Sequence, residues 1–302
     1  MSQKKSKKQR FGTPKQQKSG KLHAGMSAHV GTGRSRTLPP AAQAARRGLV
    51  LHGQHPVMAA LGNPDRQIQA IFATAQQADR LADNIQHIAA CHRPLLDNIE
   101  ILEREQMSQL CQSGADTEQV HQGLAIHTSP LEEMFLSDIL LHLDNADAAA
   151  GRGQGTRLLV LDQVTDPRNV GAMLRSARAF GVSAIILTRK HAPQETASLA
   201  KAAAGALEYV PLVRVVNLAR ALDEMKDAGI MLAGLDASAP DTLDGLADIQ
   251  HLGLVMGAEA TGMRRLTKQA CDRLVAIPMQ SDTESLNVSV AAAIALYASR
   301  QR

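Results

Sequence analysis

Apolar and polar positions alternate in regular blocks along the second half of the chain. Six apolar segments predict strands: RLLVLDQV, AIILT, YVPLV, GIMLAGL, LGLVMG and RLVAIPM. Helical patterns lie between and after them, at 170–180, 196–204, 217–228, 264–271 and 287–299. Strands that are apolar without alternation are typical of a parallel sheet covered by helices on both faces. We therefore predict an α/β domain over 157–302 that binds its ligand at the carboxyl ends of the strands.

A smaller α/β pattern over 48–128 precedes this domain. GLVLHG, QAIFAT and QGLAIHT predict strands, NIEILE predicts a strand or a helix start, and QADRLADNIQHIAAC predicts a helix. Another helix is expected from Pro56 to Leu61. A linker over 129–156 contains the amphipathic segment LEEMFLSDILLHL and the glycine-rich DAAAGRGQGT. Because no run of 18 apolar residues occurs, no membrane-spanning helix is predicted.

The positive charge of the chain is concentrated at its N-terminus. Residues 1–47 contain 12 of the 33 Lys and Arg residues and none of the 29 acidic ones, which leaves 21 basic and 29 acidic residues in 48–302. We predict that 1–47 is a disordered basic arm that binds a polyanion such as RNA. A solubilising tail and an organelle transit peptide are the alternatives. The three cysteines have no paired spacing, which indicates the reducing cytoplasm and no cysteine-based metal site.

Polar residues follow three of the predicted strands, first in LDQVTDPRNVGAMLRSARAFG. Asn169 is a suitable N-cap for the helix over 170–180. Arg175 and Arg178 lie three residues apart, so they can share one helix face and bind a phosphate. The alternative is that Asn169 only caps the helix and that both arginines are solvated.

Two further strand ends carry polar side chains. In LVMGAEATGM, Glu259 follows the strand that ends at Gly257, where it can face a ligand or cap the next helix. In IPMQSDTESLNVSVAAAIALY, either Ser285 or Asn287 would suffice as a helix cap. The presence of both suggests a ligand-binding wall, although capping alone remains possible.

The three segments NVGAMLRSARAFGV, LVMGAEATGM and IPMQSDTESLNVSVAAAIALY resemble, in this order, the signature motifs of the SpoU (TrmH-like) family of RNA ribose 2′-O-methyltransferases in the SPOUT superfamily. HGQHPVMAAL and VHQGLAI are similar to the two ends of that family's N-terminal RNA-recognition domain. The resemblance covers about 48–300, most closely the subgroup that modifies a guanosine of 23S ribosomal RNA. It implies S-adenosylmethionine as cofactor, no metal, a trefoil knot in the C-terminal domain and a homodimer.

The resemblance also implies roles for particular residues. The matching catalytic positions are Asn169, Arg175, Glu259, Ser285 and Asn287, and the matching cofactor-binding positions are Gly257, Ile277 and Leu286. Because a guanidinium stays protonated, we expect Arg175 to hold the phosphate and ribose of the target, with Glu259 orienting it. Two alternatives remain open, which are a transfer-RNA methyltransferase and a non-catalytic RNA-binding or ribosome assembly factor with the same fold.

Overall fold

The computed structural model describes residues 37–112, 120–141, 155–190, 192–280 and 285–300. Most of the predicted basic arm, over 1–36, lies outside these residues, as does 142–154 of the predicted linker. The described chain forms two sheets. We call 37–128 the N-terminal region and 155–300 the C-terminal region.

The N-terminal region is a four-stranded sheet with helices. Its elements are α1 (Pro40–Ala45), β1 (Leu49–His52), α2 (Gln54–Gly62), β2 (Ile68–Ala73), α3 (Ala75–Asp83), β3 (Glu100–Ile101), α4 (Arg104–Cys111) and β4 (Leu124–Thr128). The strand order is β1-β4-β2-β3, and β4 runs antiparallel to both neighbours. NIEILE, for which the sequence predicted a strand or a helix start, therefore contains strand β3.

The helix predicted over QADRLADNIQHIAAC is shorter than expected. It ends at Asp83, and a single 3₁₀ turn at Ile85–His87 follows. Asn84 occupies the C-cap position, and its side-chain amide donates to the backbone oxygen of Arg80. Asparagine side chains compete with the helical backbone in this way, which explains the early end.

The C-terminal region contains a seven-stranded sheet in which every pairing is parallel. A helix α5, described over 136–141, precedes it. Its strands are β5 (Arg157–Asp162), β6 (Ala184–Thr188), β7 (Leu212–Val215), β8 (Met231–Leu235), β9 (Asp241–Thr242), β10 (Leu252–Gly257) and β11 (Arg273–Ala276). Its helices are α6 (Pro167–Ala179), α7 (Ala197–Ala203), α8 (Leu218–Asp227), α9 (Arg265–Ala270) and α10 (Val288–Ser299).

The strand order of this sheet is β7-β6-β5-β10-β8-β11-β9. Strands β5 and β6 are buried along their whole length, and separate apolar clusters cover the two faces of the sheet. The predicted α/β class with a covered parallel sheet is therefore confirmed. Within the part of the chain that the structure describes, no helix is both long and apolar enough to cross a bilayer.

The two regions are packed against each other around a buried arginine. The side chain of Arg66 in the N-terminal region lies 2.5 Å from carboxylate oxygens of both Glu195 and Glu208 in the C-terminal region. Nearby, a Cβ atom added to Gly205 would lie only 2.8 Å from the Cβ of Ala59. One apolar cluster also continues through both regions. The small sheet is thus held at a defined place on the large one.

Candidate active site

A cleft opens at the carboxyl ends of β8, β10 and β11, which is where a parallel sheet is expected to bind its ligand. Residues from four separated stretches line it: Leu235, Asp236, Met256, Gly257, Glu259, Val275, Ile277, Ser285 and Leu286. The structure therefore brings together five of the eight residues that the sequence assigns to a site. They are Gly257, Glu259, Ile277, Ser285 and Leu286.

The floor of the cleft is made by a tight turn after β10. The amide of Gly262 donates to the oxygen of Ala258 at 2.8 Å, so the chain folds back onto the end of the strand. A Cβ atom added to Gly257 would lie 2.0 Å from the carbonyl carbon of Gly262. Only glycine allows this approach, which also leaves backbone groups accessible to a ligand.

Glu259 lies exposed in this turn. The sequence left open whether it caps the following helix. The N-cap residue of α9 is Arg264, and no hydrogen bond joins Glu259 to the start of this helix among the residues that the structure describes. The capping alternative for Glu259 is therefore wrong, and its carboxylate is available to the cleft.

Asp162, which the sequence analysis missed, ties this turn to the core. It is fully buried at the end of β5, and its carboxylate accepts from the backbone amide of Arg264 at 2.9 Å and from that residue's Nε at 2.7 Å. A second guanidinium nitrogen lies 2.7 Å away. The only signal in the sequence was an acidic residue at the end of an otherwise apolar strand.

The predicted N-cap of α6 requires a correction. The helix begins at Pro167, and its N-cap is Asp166, whose side chain accepts from the amide of Arg168 at 2.9 Å. Proline is favoured in the first turn of a helix, so Asp166-Pro167 was the stronger start signal. Asn169 is consequently inside the first turn, and its side chain has a different role.

That role is a contact with the third motif. The side-chain amide of Asn287 donates to Oδ1 of Asn169 at 3.2 Å. Asn287 also caps α10, because its Oδ1 accepts from the amide of Ser289 at 2.9 Å. Asn287 thus caps its helix and also contacts the first motif, whereas Ser285 does not cap the helix and lines the cleft. Two motifs that are 118 residues apart meet here.

The two arginines of α6 have different surroundings. The guanidinium of Arg178 stacks on the ring of Tyr209 at 3.5 Å. Arg175 is exposed on a groove between α6 and α10, together with Ser289 and Tyr297, and does not line the cleft of Glu259. The structure of one chain therefore links Asn169 and Asn287 but leaves Arg175 on a neighbouring surface.

The two carboxylates that line the cleft differ in their surroundings, because Asp236 is paired with Lys268, whereas Glu259 forms no ion pair with the residues that the structure describes. Hydrogen bonds from Lys268 and Ser238 lower the pKa of Asp236 to about 2, so this carboxylate is ionised. Asp236 and Glu259 both line the cleft, and Leu235, Ile277 and Leu286 supply apolar surface. The arrangement suits a ligand that combines a flat apolar group with a cation.

Comparisons with known proteins agree with this geometry. Residues 156–297 match the family described as SpoU rRNA Methylase. The chain is 38% identical over 247 residues to the 23S rRNA (guanosine-2′-O-)-methyltransferase RlmB of Nitrosomonas europaea, covering 82% of this chain and 89% of that protein. It is 37% identical over 257 residues to RlmB of Escherichia coli K12, covering 84% and 98% respectively.

Solved structures give the same result for the fold. An AdoMet-bound rRNA methyltransferase from Sinorhizobium meliloti is similar with a TM-score of 0.66 at 21% identity, covering 86% of this chain and 94% of that one. The SpoU methyltransferase AviRb from Streptomyces viridochromogenes in complex with AdoMet gives 0.63 at 20% identity, covering 86% and 97%. On the sequence matches and the fold together, the chain belongs to the SpoU rRNA methylase family.

Proposed function

We propose that this protein transfers a methyl group from S-adenosylmethionine to a ribose 2′-hydroxyl of RNA, at a guanosine of 23S ribosomal RNA. The observation that carries the proposal is the meeting of three separated motifs, with Asn287 bonded to Asn169 beside the cleft that contains Glu259. The names of the relatives from Nitrosomonas europaea and Escherichia coli support the choice of substrate.

The cleft is suited to the cofactor. When bound, S-adenosylmethionine supplies a methyl group on a positively charged sulfur. Ile277 and Leu286 give an apolar wall for its adenosyl group, and the turn at Gly257 lets the backbone approach closely. The carboxylate of Glu259 supplies negative charge for the cation, whereas Asp236 is already paired with Lys268.

The polar residues have positioning and charge roles in this proposal. A 2′-hydroxyl must lie in line with the methyl group and lose its proton, which requires close alignment. Arg175 holds the phosphate and ribose of the target, since a guanidinium can donate five hydrogen bonds but cannot accept a proton. Glu259 orients this arginine across a subunit interface, because one chain places the two side chains on different surfaces, while Asn169, Ser285 and Asn287 position the nucleotide and its loop.

We further propose that the active enzyme is a homodimer. Helix α10 exposes Val290, Ile294 and Tyr297, which lie beside Arg175 on the groove between α6 and α10. An apolar face of this kind is typical of an interface between subunits. Packing a second copy there covers the apolar side chains and places Arg175 close to the partner subunit, which supports an active site at the interface.

The remaining parts of the proposal concern organisation. Residues 1–47 act as a basic RNA-binding arm, 48–128 as the RNA-recognition domain, 129–156 as a linker and 157–302 as the methyltransferase domain. Membership of the family supports a trefoil knot in the last of these. The described cysteines are all unpaired, which agrees with a location in the reducing cytoplasm.

The decisive experiment maps ribose methylation over total RNA in a deletion strain that is complemented with variants. The wild-type chain restores one 2′-O-methylguanosine in 23S rRNA, whereas Arg175→Ala lowers methylation at least about 100-fold, as expected when a substrate-positioning group is removed. The purified variant keeps its affinity for S-adenosylmethionine. Arg220→Ala, which removes an exposed arginine paired only with Glu224 on α8, is the matched control and retains activity.

Other outcomes select the alternatives. Restored methylation in transfer RNA would establish a tRNA enzyme. Cofactor binding without any methylation by the wild-type chain would indicate an RNA-binding factor. Full turnover by Arg175→Ala would remove that residue from the mechanism.

A further inference from the structure

A second polar groove lies on the N-terminal region, away from the cleft. It is bounded by the end of β2, one side of α4 and the turn that leads into β4. Its lining includes Thr74, Gln76, Gln77, Arg104, Ser108 and His121. None of these residues belongs to the three motifs of the family.

Gln77 is the feature that points to a ligand. This residue is only 8% exposed, yet its carboxamide has no hydrogen-bond partner among the residues that the structure describes. The nitrogen and oxygen of this amide are not completely sealed from solvent, so a ligand in the groove can reach them. The edge of a base that reaches this amide through the groove can therefore supply hydrogen bonds that no residue of the described chain provides.

The groove around Gln77 is held in place by hydrogen bonds. The amide of Gly123 donates to Nδ1 of His121 at 3.0 Å, and Nε2 of the same ring lies 3.1 Å from Oγ of Ser108. Burial, together with the charge of Arg104, lowers the pKa of His121, so the ring stays neutral and can accept at Nδ1. The groove is therefore preformed, which reduces the entropy cost of binding.

Positive charge stands beside the groove although the region as a whole is acidic. Residues 48–128 contain four arginines and nine acidic residues. Arg104 is exposed on α4, and no carboxylate of the described residues pairs with it. The third residue of that helix is Gln106, and its Nε2 donates to the backbone oxygen of Thr37 at 3.1 Å.

This contact fixes where the basic N-terminal segment joins the fold. Residues 1–36, with seven lysines, three arginines and no acidic residue, continue directly from Thr37. The segment with the highest density of positive charge is thus attached at α4, the helix whose other side borders the groove. Lysine and arginine provide affinity for phosphates that does not depend on sequence, and hydrogen-bonding groups select the base.

We propose that this groove binds one unpaired nucleotide of the RNA substrate at a distance from the methylated ribose. Gln77 hydrogen-bonds the edge of the base, since a carboxamide can both donate and accept, and Arg104 binds the adjoining phosphate. The groove is a recognition site and takes no part in methyl transfer. This inference rests on the proposed function, because it assumes RNA as the substrate.

The test measures RNA affinity and methylation kinetics of the full-length protein with a labelled 23S rRNA fragment. Gln77→Glu, which keeps the shape but replaces the amide donor with a carboxylate, and Arg104→Ala each raise Kd and the KM for RNA about tenfold, with kcat and cofactor affinity unchanged. Arg104→Ala also lowers the slope of log Kd against log salt by about 1, because one phosphate contact is lost. Arg80→Ala, an exposed arginine on α3, is the control and has no effect.

The outcomes separate this inference from the function on which it rests. If the wild-type protein methylates the fragment and both variants bind it normally, the groove is not an RNA site and the proposed function stands. If the wild-type protein neither binds nor methylates RNA, both proposals fail. Should Gln77→Glu unfold, the exposed Arg104 decides the result alone.

Discussion

Two fully buried charges, Arg66 and Asp162, perform different tasks in this molecule. Arg66 lies between the two regions, and both of its partners are nearly buried, with Glu195 at 8% and Glu208 at 2% exposure. Asp162 lies under the edge of the cleft, and its partner Arg264 is 47% exposed. The ion pairs of Arg66 are shielded from solvent and join the two regions. The ion pair of Asp162 reaches the surface and connects the core to the turn that carries Glu259.

The environment of Arg66 favours the charged form of its guanidinium. Burial by itself lowers the pKa of a guanidinium, but the hydrogen bonds and charges of Glu208 and Glu195 outweigh this and raise the pKa of Arg66 overall. Arg66 thus stays charged wherever the protein is folded. We conclude that it acts as a permanent connection between the regions.

The largest effect is expected for Arg66→Met. This change leaves two buried carboxylates without a counter-charge and should lower the free energy of unfolding by about 3–5 kcal/mol. Chemical denaturation at neutral pH measures the loss. Arg220→Ala breaks an exposed pair and should cost at most about 0.5 kcal/mol. A loss below about 1 kcal/mol for Arg66→Met would show that the connection adds little stability.

An intermediate effect is expected for Asp162→Asn. An amide in place of the carboxylate loses one acceptor for Arg264, so stability should fall by about 2 kcal/mol. Because the turn at 257–264 is no longer held, affinity for S-adenosylmethionine should also fall severalfold, which calorimetric titration measures. Arg66→Met should leave cofactor affinity unchanged. Equal cofactor affinity in Asp162→Asn and the wild-type protein would contradict the role of this contact.

The smallest effect is expected for His121, a buried side chain that is kept neutral, unlike Arg66 and Asp162. The pKa of His121 is lowered from its ordinary value of 6.5 in the folded protein, so the unfolded chain takes up this proton at a higher pH. Its contribution to stability is complete above pH 6.5 and is lost as the pH falls towards the folded pKa. His121→Asn should remove this part of the pH dependence, which denaturation at pH 5 and pH 7.5 can measure as a difference in slope between the two proteins.

The sequence predicted the sheet class because fully buried strands such as β5 and β6 contain apolar residues without alternation. The resemblance to the family also indicated Gly257, Ile277 and Leu286 as a group, and the structure places all three in the lining of one cleft. The strand order was not accessible, because it depends on pairings between distant segments.

The errors have equally specific causes. Asp166 and Asn169 are both good N-cap residues, and only the position of Pro167 decides between them. The bond from Arg264 to Asp162 spans 102 residues, and neither residue belongs to a pattern that reveals a partner. Contacts of this kind follow from the topology and have no local signal.

The carboxamide of Asn287 uses both of its ends, and this restricts what can replace it. Aspartate is an equally good helix start but offers Asn169 no donor, and serine is too short to reach across to another helix. Asn287 therefore has two structural functions, because it caps the last helix and holds Asn169 of the first motif. A substitution that keeps the cap but loses the donor would leave α10 intact and release Asn169, so the first and third motifs would no longer be joined at this point.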